Sequence, residues 1–392
     1  LKPPGLKLDS SIAAQSTSRL DRARAMVAGD DRGADDRMDE GYAWVVVLGS
    51  FIGHMLVLGL QYSFGVVFAA LVSEFDATRS AVAWVGSLTI GFQIGMGAFT
   101  GWVVARVGER VVIAIGAFVA GTALLLASFA TELWQLYLTY GVLFGLACSW
   151  LWPPCILVVQ RWFSQKRALA SGAASSGSGI GTMVLGPCVA LLIERYGWRV
   201  TFRILAGLAV VLGNLVAALC KAPRCAGSKL PQNKSSSFLW VSSNGRKPLL
   251  RAPCLLVMML AAFVAGLGWF VLPVHIVQHA RDLDVPESRQ PVLVSCVGLG
   301  LIAGRVPLCM LADWSRRRIR VFALVVGGLA AANFAVAVAT SFATLLPGCL
   351  LYGVAGGAYV ALTPPVVKEF VAIEDLAQAA GLVYTAWGWS LM

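Results

Sequence analysis

Arg305 is a cation placed where a cation is costly. It stands in the apolar run "VLVSCVGLGLIAGRVPLCMLAD", eight residues before Asp313. On a helix that spacing puts it roughly 12 Å along the axis from the nearest polar connection. A charge at that depth of a bilayer costs ~2.5–3.5 kcal/mol or more, and normally faces a water-filled path or a partner. All 20 acidic residues lie in tails, connections or segment ends, so none shares its span. A bound anion is then a candidate counter-ion. A guanidinium fork matches a carboxylate through two parallel hydrogen bonds. The alternative is an Arg that snorkels to the interface or is tied to backbone carbonyls. His54, His275 and His279 are the side chains able to titrate near neutral pH without perturbation. His54 and His275 are candidates for a solute path or for structural hydrogen bonds, and His279 is expected at the outer interface. Tyr359 offers a hydroxyl at comparable depth in another apolar run.

Long helices must hold these residues. The chain of 392 residues is 58% hydrophobic and 13% charged, about half the charge of a soluble domain. Uncharged apolar runs recur near 42–70, 80–104, 111–130, 133–159, 168–193 and 199–220, and again near 253–280, 291–312, 319–340, 343–367 and 374–392. Each approaches the ~20 residues that cross a bilayer as helix. An all-α polytopic membrane protein follows, with about eleven helices. Of the 31 Lys and Arg, 24 fall in alternate connections and five in the others. That asymmetry, rather than the net charge of +11, is informative: it puts the N-terminus and the central loop, 221–252, in the cytoplasm and argues against nucleic acid. Residues 1–40 mix seven basic with eight acidic residues and read as a disordered tail, with a transit peptide left open by the Arg, Ser and Ala of 1–29. The nine cysteines lack C-x-x-C spacing and read as small packing residues.

The order of helices repeats. Tyr140-Gly141-Val142 answers Tyr352-Gly353-Val354, and Pro153-Pro154 answers Pro364-Pro365, at an offset near 212. "GWVVARVGER" at 101–110 answers "CMLADWSRRR" at 309–318, pairing Ala105 with Asp313 and Arg110 with Arg318. Parallel halves, 41–220 and 253–392, are expected around an axis along the membrane normal. By this offset the second half stops inside its eleventh helix, and twelve helices are expected of an intact protein.

The stretch "WFSQKRALASGAASSGSGIG" at 162–181 suspends large side chains for small ones. Ala173, Gly177 and Gly181 share one helical stripe; Ala170, Ala174 and Ser178 share the next. Small stripes let helix backbones approach closely in a membrane. They serve either static packing or a moving interface. Pro153, Pro154, Pro187, Pro273 and Pro307 read as kinks, and Asn214 and Asn333 as interhelical hydrogen bonders.

These residues resemble the monocarboxylate transporters of the major facilitator superfamily. "DEGYAWVVVLGSF" at 39–51 is similar to the family's first-helix signature, through Glu40, Gly41, Tyr42, Ala43 and Trp44. The 162–181 stretch is similar to its fifth-helix signature, through Phe163, Lys166, Arg167, Leu169, Ala170, Gly172, Gly177 and Ser178. Leu311, Ala312, Asp313 and Arg317 match the superfamily's loop motif, with Cys309 where Gly is usual. Its first-half copy keeps Arg106 and Arg110 but has Ala105 for Asp. The resemblance implies two six-helix halves working by alternating access. It implies that Arg305 handles a substrate carboxylate and that Tyr62 lies on the first helix's cavity face. It implies gating roles for Asp313, Arg317, Arg106, Arg110, Lys166, Arg167, Gly172 and Gly177. Two departures weaken proton coupling: Leu301 and Val66 stand where proton-coupled members carry Asp and Lys.

The expected partners are a small organic anion and the lipid bilayer, with an accessory membrane subunit open. No cofactor, metal or enzymatic role is expected; a G-x-x-x-x-G-K-[ST] phosphate loop is missing. Plasma membrane is the expected location. The rival readings are a carrier of another organic solute, aromatic or neutral, and a transport-inactive scaffold or sensor.

Overall fold

The computed structural model of the chain describes residues 38–223, 252–269, 271–286 and 289–390. Most of the expected tail (1–40) and central loop (221–252) lie outside them. The first apolar run forms α1 (Tyr42–Tyr62) and α2 (Phe64–Glu74), nearly continuous with each other. The second forms α3 (Arg79–Gly95) and α4 (Gly97–Val107), bent by 48°. Next comes α5 (Glu109–Ala127). The short α6 (Leu133–Leu136) leads through a π-helical stretch, Tyr137–Phe144, into α7 (Gly145–Trp162). The fifth and sixth runs form α8 (Arg167–Leu219), 53 residues interrupted at Gly197, whose φ of 77° leaves the helical region. That left-handed geometry is why a glycine marks the turn between two spans. The second half continues with α9 (Pro253–Trp269), α10 (Val271–Asp282), α11 (Gln290–Trp314), α12 (Arg318–Ala337), α13 (Phe342–Phe370) and α14 (Leu376–Trp389).

Each of the eleven expected segments is mostly helical over its described residues, with breaks at Ser63 and Met96 and non-helical ends. Among the described residues, seven helical spans are long and apolar enough to cross a membrane, α1 with α2 and α6 through α7 each counting as one, or eight with the bent pair taken as a further span. The count is below eleven because α8 holds two runs and because α9, at 17 residues, and α14, at 14 residues, are short. The prolines at 153, 154, 187 and 307 sit inside continuous helices.

Packing follows the small residues. A Cβ on Gly49 would fall 2.9 Å from Leu219 Cβ, and one on Gly53 would fall 3.4 Å from Val216 Cγ1. The end of α8 thus seats directly on α1. At the repeat offset of 212, Ala261 and Ala265 line an apolar groove between α9 and α12, the second half's version of that seat.

The halves meet along two seams. In the first, α4 lies on α14: Cβ atoms on Gly97, Gly101 and Gly381 would each run into backbone of the facing helix. The break at Met96 releases α4 from the α3 ladder, and Ala98 N–H donates across the seam to Thr385 Oγ1 at 2.7 Å. A side chain meeting a freed amide is how a broken membrane helix is tolerated. In the second seam, α8 lies on α11. A Cβ on Gly172 would sit 2.9 Å from Arg305 O and 3.1 Å from Cys309 Sγ, and one on Gly179 would sit 2.6 Å from Ile302 Cγ1.

Candidate functional site

Arg305 is buried in the second seam, with 6% of its surface exposed. Its Nη1 donates to the Ser175 carbonyl and to Ser178 Oγ, both on α8 in the opposite half. Its chain lies against α13, where a Cβ on Gly357 would come within 3.1 Å of Arg305 Cγ. The position therefore joins three helices from both halves. The backbone-carbonyl bond anticipated as an alternative is present, and it runs between the halves.

His54 is buried on α1, and its Nδ1–H donates to Ser50 O at 2.8 Å. That bond leaves Nε2 as the nitrogen facing away from its own helix turn. Helix α1 packs on α8 at Gly177 and Gly181, the same helix whose Ser178 accepts from Arg305. The His54 ring meets Trp152 edge-on at 6.3 Å, and Trp152 meets Tyr384 at 5.2 Å across the halves. Tyr359 is buried among Phe322, Trp269 and Trp387, at ring distances of 5.4, 5.5 and 5.8 Å. So Arg305, His54 and Tyr359 belong to one buried region. His275 does not join it: it is exposed on α10. His279 bonds Val336 O at 3.1 Å instead of standing solvated at an interface. The side chain of Tyr62 lies outside the described residues; its backbone ends α1. Trp152, Tyr384 and Trp387 were missed by sequence reasoning, and the only available signal was their aromatic type.

One end of the bundle, carrying the 161–167 and 313–318 connections, is bolted shut. Asp313 Oδ2 accepts Leu169 N–H at 2.8 Å, and Asp313 Oδ1 accepts Arg318 Nε at 2.8 Å. Arg318 also donates to Glu369 Oε1 at 2.7 Å and to Gln165 O at 2.9 Å. The carboxylate of Asp313 thus meets the N-terminus of α8, where orphan amides and the helix dipole favour an anion. The motif cation is Arg318. Arg317, expected in that role, is exposed, and its backbone N–H donates to Ser315 Oγ.

The first half has no copy of this bolt. Arg106 stands over the Trp102 ring at 4.0 Å, and Arg110 Nε donates to Ala217 O at 3.1 Å. Neither reaches the second half through these bonds. Instead buried Glu109 pairs with Arg161 at 2.8 Å. Each half thus holds an ion pair near this end, but by the repeat Glu109 answers Arg317 rather than Arg318, so the two pairs are built from different positions. Gly172 and Gly177 also separate. Gly172 faces α11 across the halves, whereas Gly177 faces the Phe51 carbonyl of α1 within its own half. Of the two, Gly172 lies on the contact between the halves, and Gly177 makes an intra-half packing contact.

Lys166 and Arg167 act through their backbone surroundings. Asp39 accepts Ser164 N–H, Gln165 N–H and Lys166 N–H at 3.0–3.1 Å and Ser164 Oγ–H at 2.7 Å. Arg167 Nε donates to Phe163 O. The two stretches that carried the resemblance are thus clasped together, with Tyr42 on Trp162 and Trp44 on Phe163. Partial burial raises the Asp39 pKa, but the Ser164 hydroxyl and the three amides outweigh it and hold the carboxyl below the usual range. A depressed carboxyl stabilises above its unfolded value and loses that contribution as pH falls through the folded one. Hydrogen exchange at amides 164–166 is therefore expected to stay protected from pH 8 to about 5 and to lose protection below about pH 4. Asp39→Ala should be unprotected throughout; equal protection in both proteins would rule out the clasp.

A bundle of apolar, membrane-length helices in two halves that meet at a seam holding a buried cation has the architecture of a membrane carrier. The profile of the Major Facilitator Superfamily matches residues 50–392. Rat monocarboxylate transporter 3 is 32% identical over 91% of this chain and 74% of its own length. Rat monocarboxylate transporter 4 is 30% identical over 88% and 74%. The chain belongs to the major facilitator superfamily and, within it, to the monocarboxylate transporter family. Among solved structures, the human organic anion transporter MFSD10 superposes with a TM-score of 0.67 at 15% identity, covering 90% of this chain and 92% of that one. The proton:xylose symporter XylE does so with 0.64 at 15% identity, over 89% and 86%. These two share the fold. The relatives are transporters and not enzymes.

Proposed function

We propose that the chain carries small monocarboxylates across the membrane by alternating access, with Arg305 holding the carboxylate. The observation that carries this reading is a guanidinium buried between the halves, on α11, bonded to α8. Arg305 ties the halves through Ser175 and Ser178 in the bolted state. A carboxylate that takes over those donors would favour the parted halves, because a ligand shifts an equilibrium by its differential affinity for the two states. The names of the relatives, monocarboxylate transporters 3 and 4, support the substrate class.

The basic connections gather at the bolted end, so that end is cytoplasmic in this reading and the solute path opens outward. The membrane is the plasma membrane. A cysteine in the Arg316–Ile319 turn should resist an impermeant external reagent in sealed cells and label after permeabilisation. External labelling would reverse the orientation.

Val66 and Leu301 leave the path without the family's Lys and Asp, so transport is facilitative or weakly proton-driven. In proteoliposomes, labelled short monocarboxylates should enter saturably, with less than about a threefold change under a tenfold proton gradient. Many-fold concentrative uptake would establish coupling, and His54→Ala would then test whether the histidine supplies the proton site.

A further inference from the structure

We propose that the indole N–H groups of Trp152 and Trp387 are the donors that meet the oxygens of the transported acid beside Arg305. The assignment rests on the carboxylate reading above. Trp152 is 3% exposed and Trp387 5% exposed, and the Nε1 of each is buried without a hydrogen-bond partner. An indole nitrogen only donates, and buried indoles normally find an acceptor. Leaving such a donor unmet costs stability.

The placement of these two sets them apart. Trp152 comes from the first half and lies between the His54 ring, on α1, and the Tyr384 ring, on α14. Trp387 comes from the second half and lies between Trp269 and Tyr359. Tyr359 follows Gly357, against which Arg305 rests, by two residues. The two donors therefore enter the buried aromatic region from opposite halves, Trp152 through α1 and α14 and Trp387 through α13, the helix on which Arg305 rests. The ring contact between Trp152 and Tyr384 crosses the seam that must open. Parting the halves breaks that contact and releases the first donor to a solute. Trp198 also has an unmet Nε1, but it packs on Phe75 and Phe202 inside the first half. It serves as the control.

Trp→Phe keeps an aromatic ring and deletes only the donor. A donor with no ligand should cost nothing on removal, and its loss should raise the melting temperature without touching transport. A donor to a charged acid should instead raise KM about tenfold, the loss expected of a charge-assisted hydrogen bond. The full chain is reconstituted, and the probe is whichever of labelled lactate, pyruvate and benzoate gives the largest flux. Trp152→Phe and Trp387→Phe are expected to raise KM about tenfold at unchanged folded amount and to shrink the melting shift produced by the acid. Trp198→Phe should leave both unchanged. Unchanged KM and melting shift in the first two variants would overturn the donor assignment, even while Arg305→Gln abolishes flux. Arg305→Gln that keeps most of its flux would overturn the carboxylate reading itself. Absence of saturable uptake of all three acids would overturn both.

Discussion

Arg305→Ala is expected to cut flux per folded molecule roughly a hundredfold or more, the scale of losing charge-assisted hydrogen bonds to an anion. The protein should still reach the membrane, because deleting a buried cation also deletes its desolvation cost. Arg305→Lys should fail nearly as fully. An ammonium is a point charge and cannot reproduce the planar fork. It also cannot reach Ser175 O and Ser178 Oγ in the same geometry from the shorter stem. Arg305→Gln separates substrate from scaffold. A neutral solute needs no charge, so a Gln variant keeping most of the rate would refute the carboxylate role. A purely structural arginine would show itself differently: lost abundance in the Ala variant, with ordinary flux in each molecule that folds. The measurement is therefore flux divided by folded transporter for all three variants.

Two glycines with similar crowding should fail in opposite ways. A Cβ on Gly177 would fall inside the Phe51 carbonyl, and one on Gly101 inside the Ala377 carbonyl. Both obstacles are backbone, which yields little. The difference lies in which helices meet. Phe51 belongs to α1, in the same half as Gly177, and that contact persists through any rocking. Gly177→Val should therefore prevent folding of the half and remove the protein from the membrane. Ala377 belongs to α14, in the half opposite Gly101, and alternating access as proposed would part that contact whenever the bolted end opens. Gly101→Val should leave abundance near normal while disfavouring the closed state by ~3 kcal/mol, at the top of the range for overpacking. A bias of that size moves the equilibrium about 150-fold. Transport should fall more than about tenfold, and a Ser315→Cys probe at the bolted end should label faster. Normal transport in Gly101→Val would exclude α4 against α14 as a moving seam. Normal abundance in Gly177→Val would exclude the static role of the α8 stripe.

The membrane character, the order of the helices and the repeat were legible in the sequence. Each depends on properties that a residue carries with it: apolarity over a span, charge in the connections, and small residues at helical spacing. The depth of Arg305 was legible for the same reason, since distance along a helix is set by residue number alone. What surrounds Arg305 was not. Ser175 and Ser178 lie about 130 residues away in sequence, and only the docking of α8 on α11 makes them its acceptors. Arg317 and Arg318 are adjacent and chemically identical, so composition could not choose between them. The turn after α11 points one out to solvent and the other onto Asp313, Glu369 and Gln165 O. The same rule divides Gly172 from Gly177. Five residues turn a helix through well over one revolution, so neighbouring members of a small-residue run face different helices. The Asp39 clasp completes the pattern. The two stretches that marked the family are separated by more than a hundred residues, and a carboxylate on three amides at the start of α8 became visible only once tertiary structure brought them together.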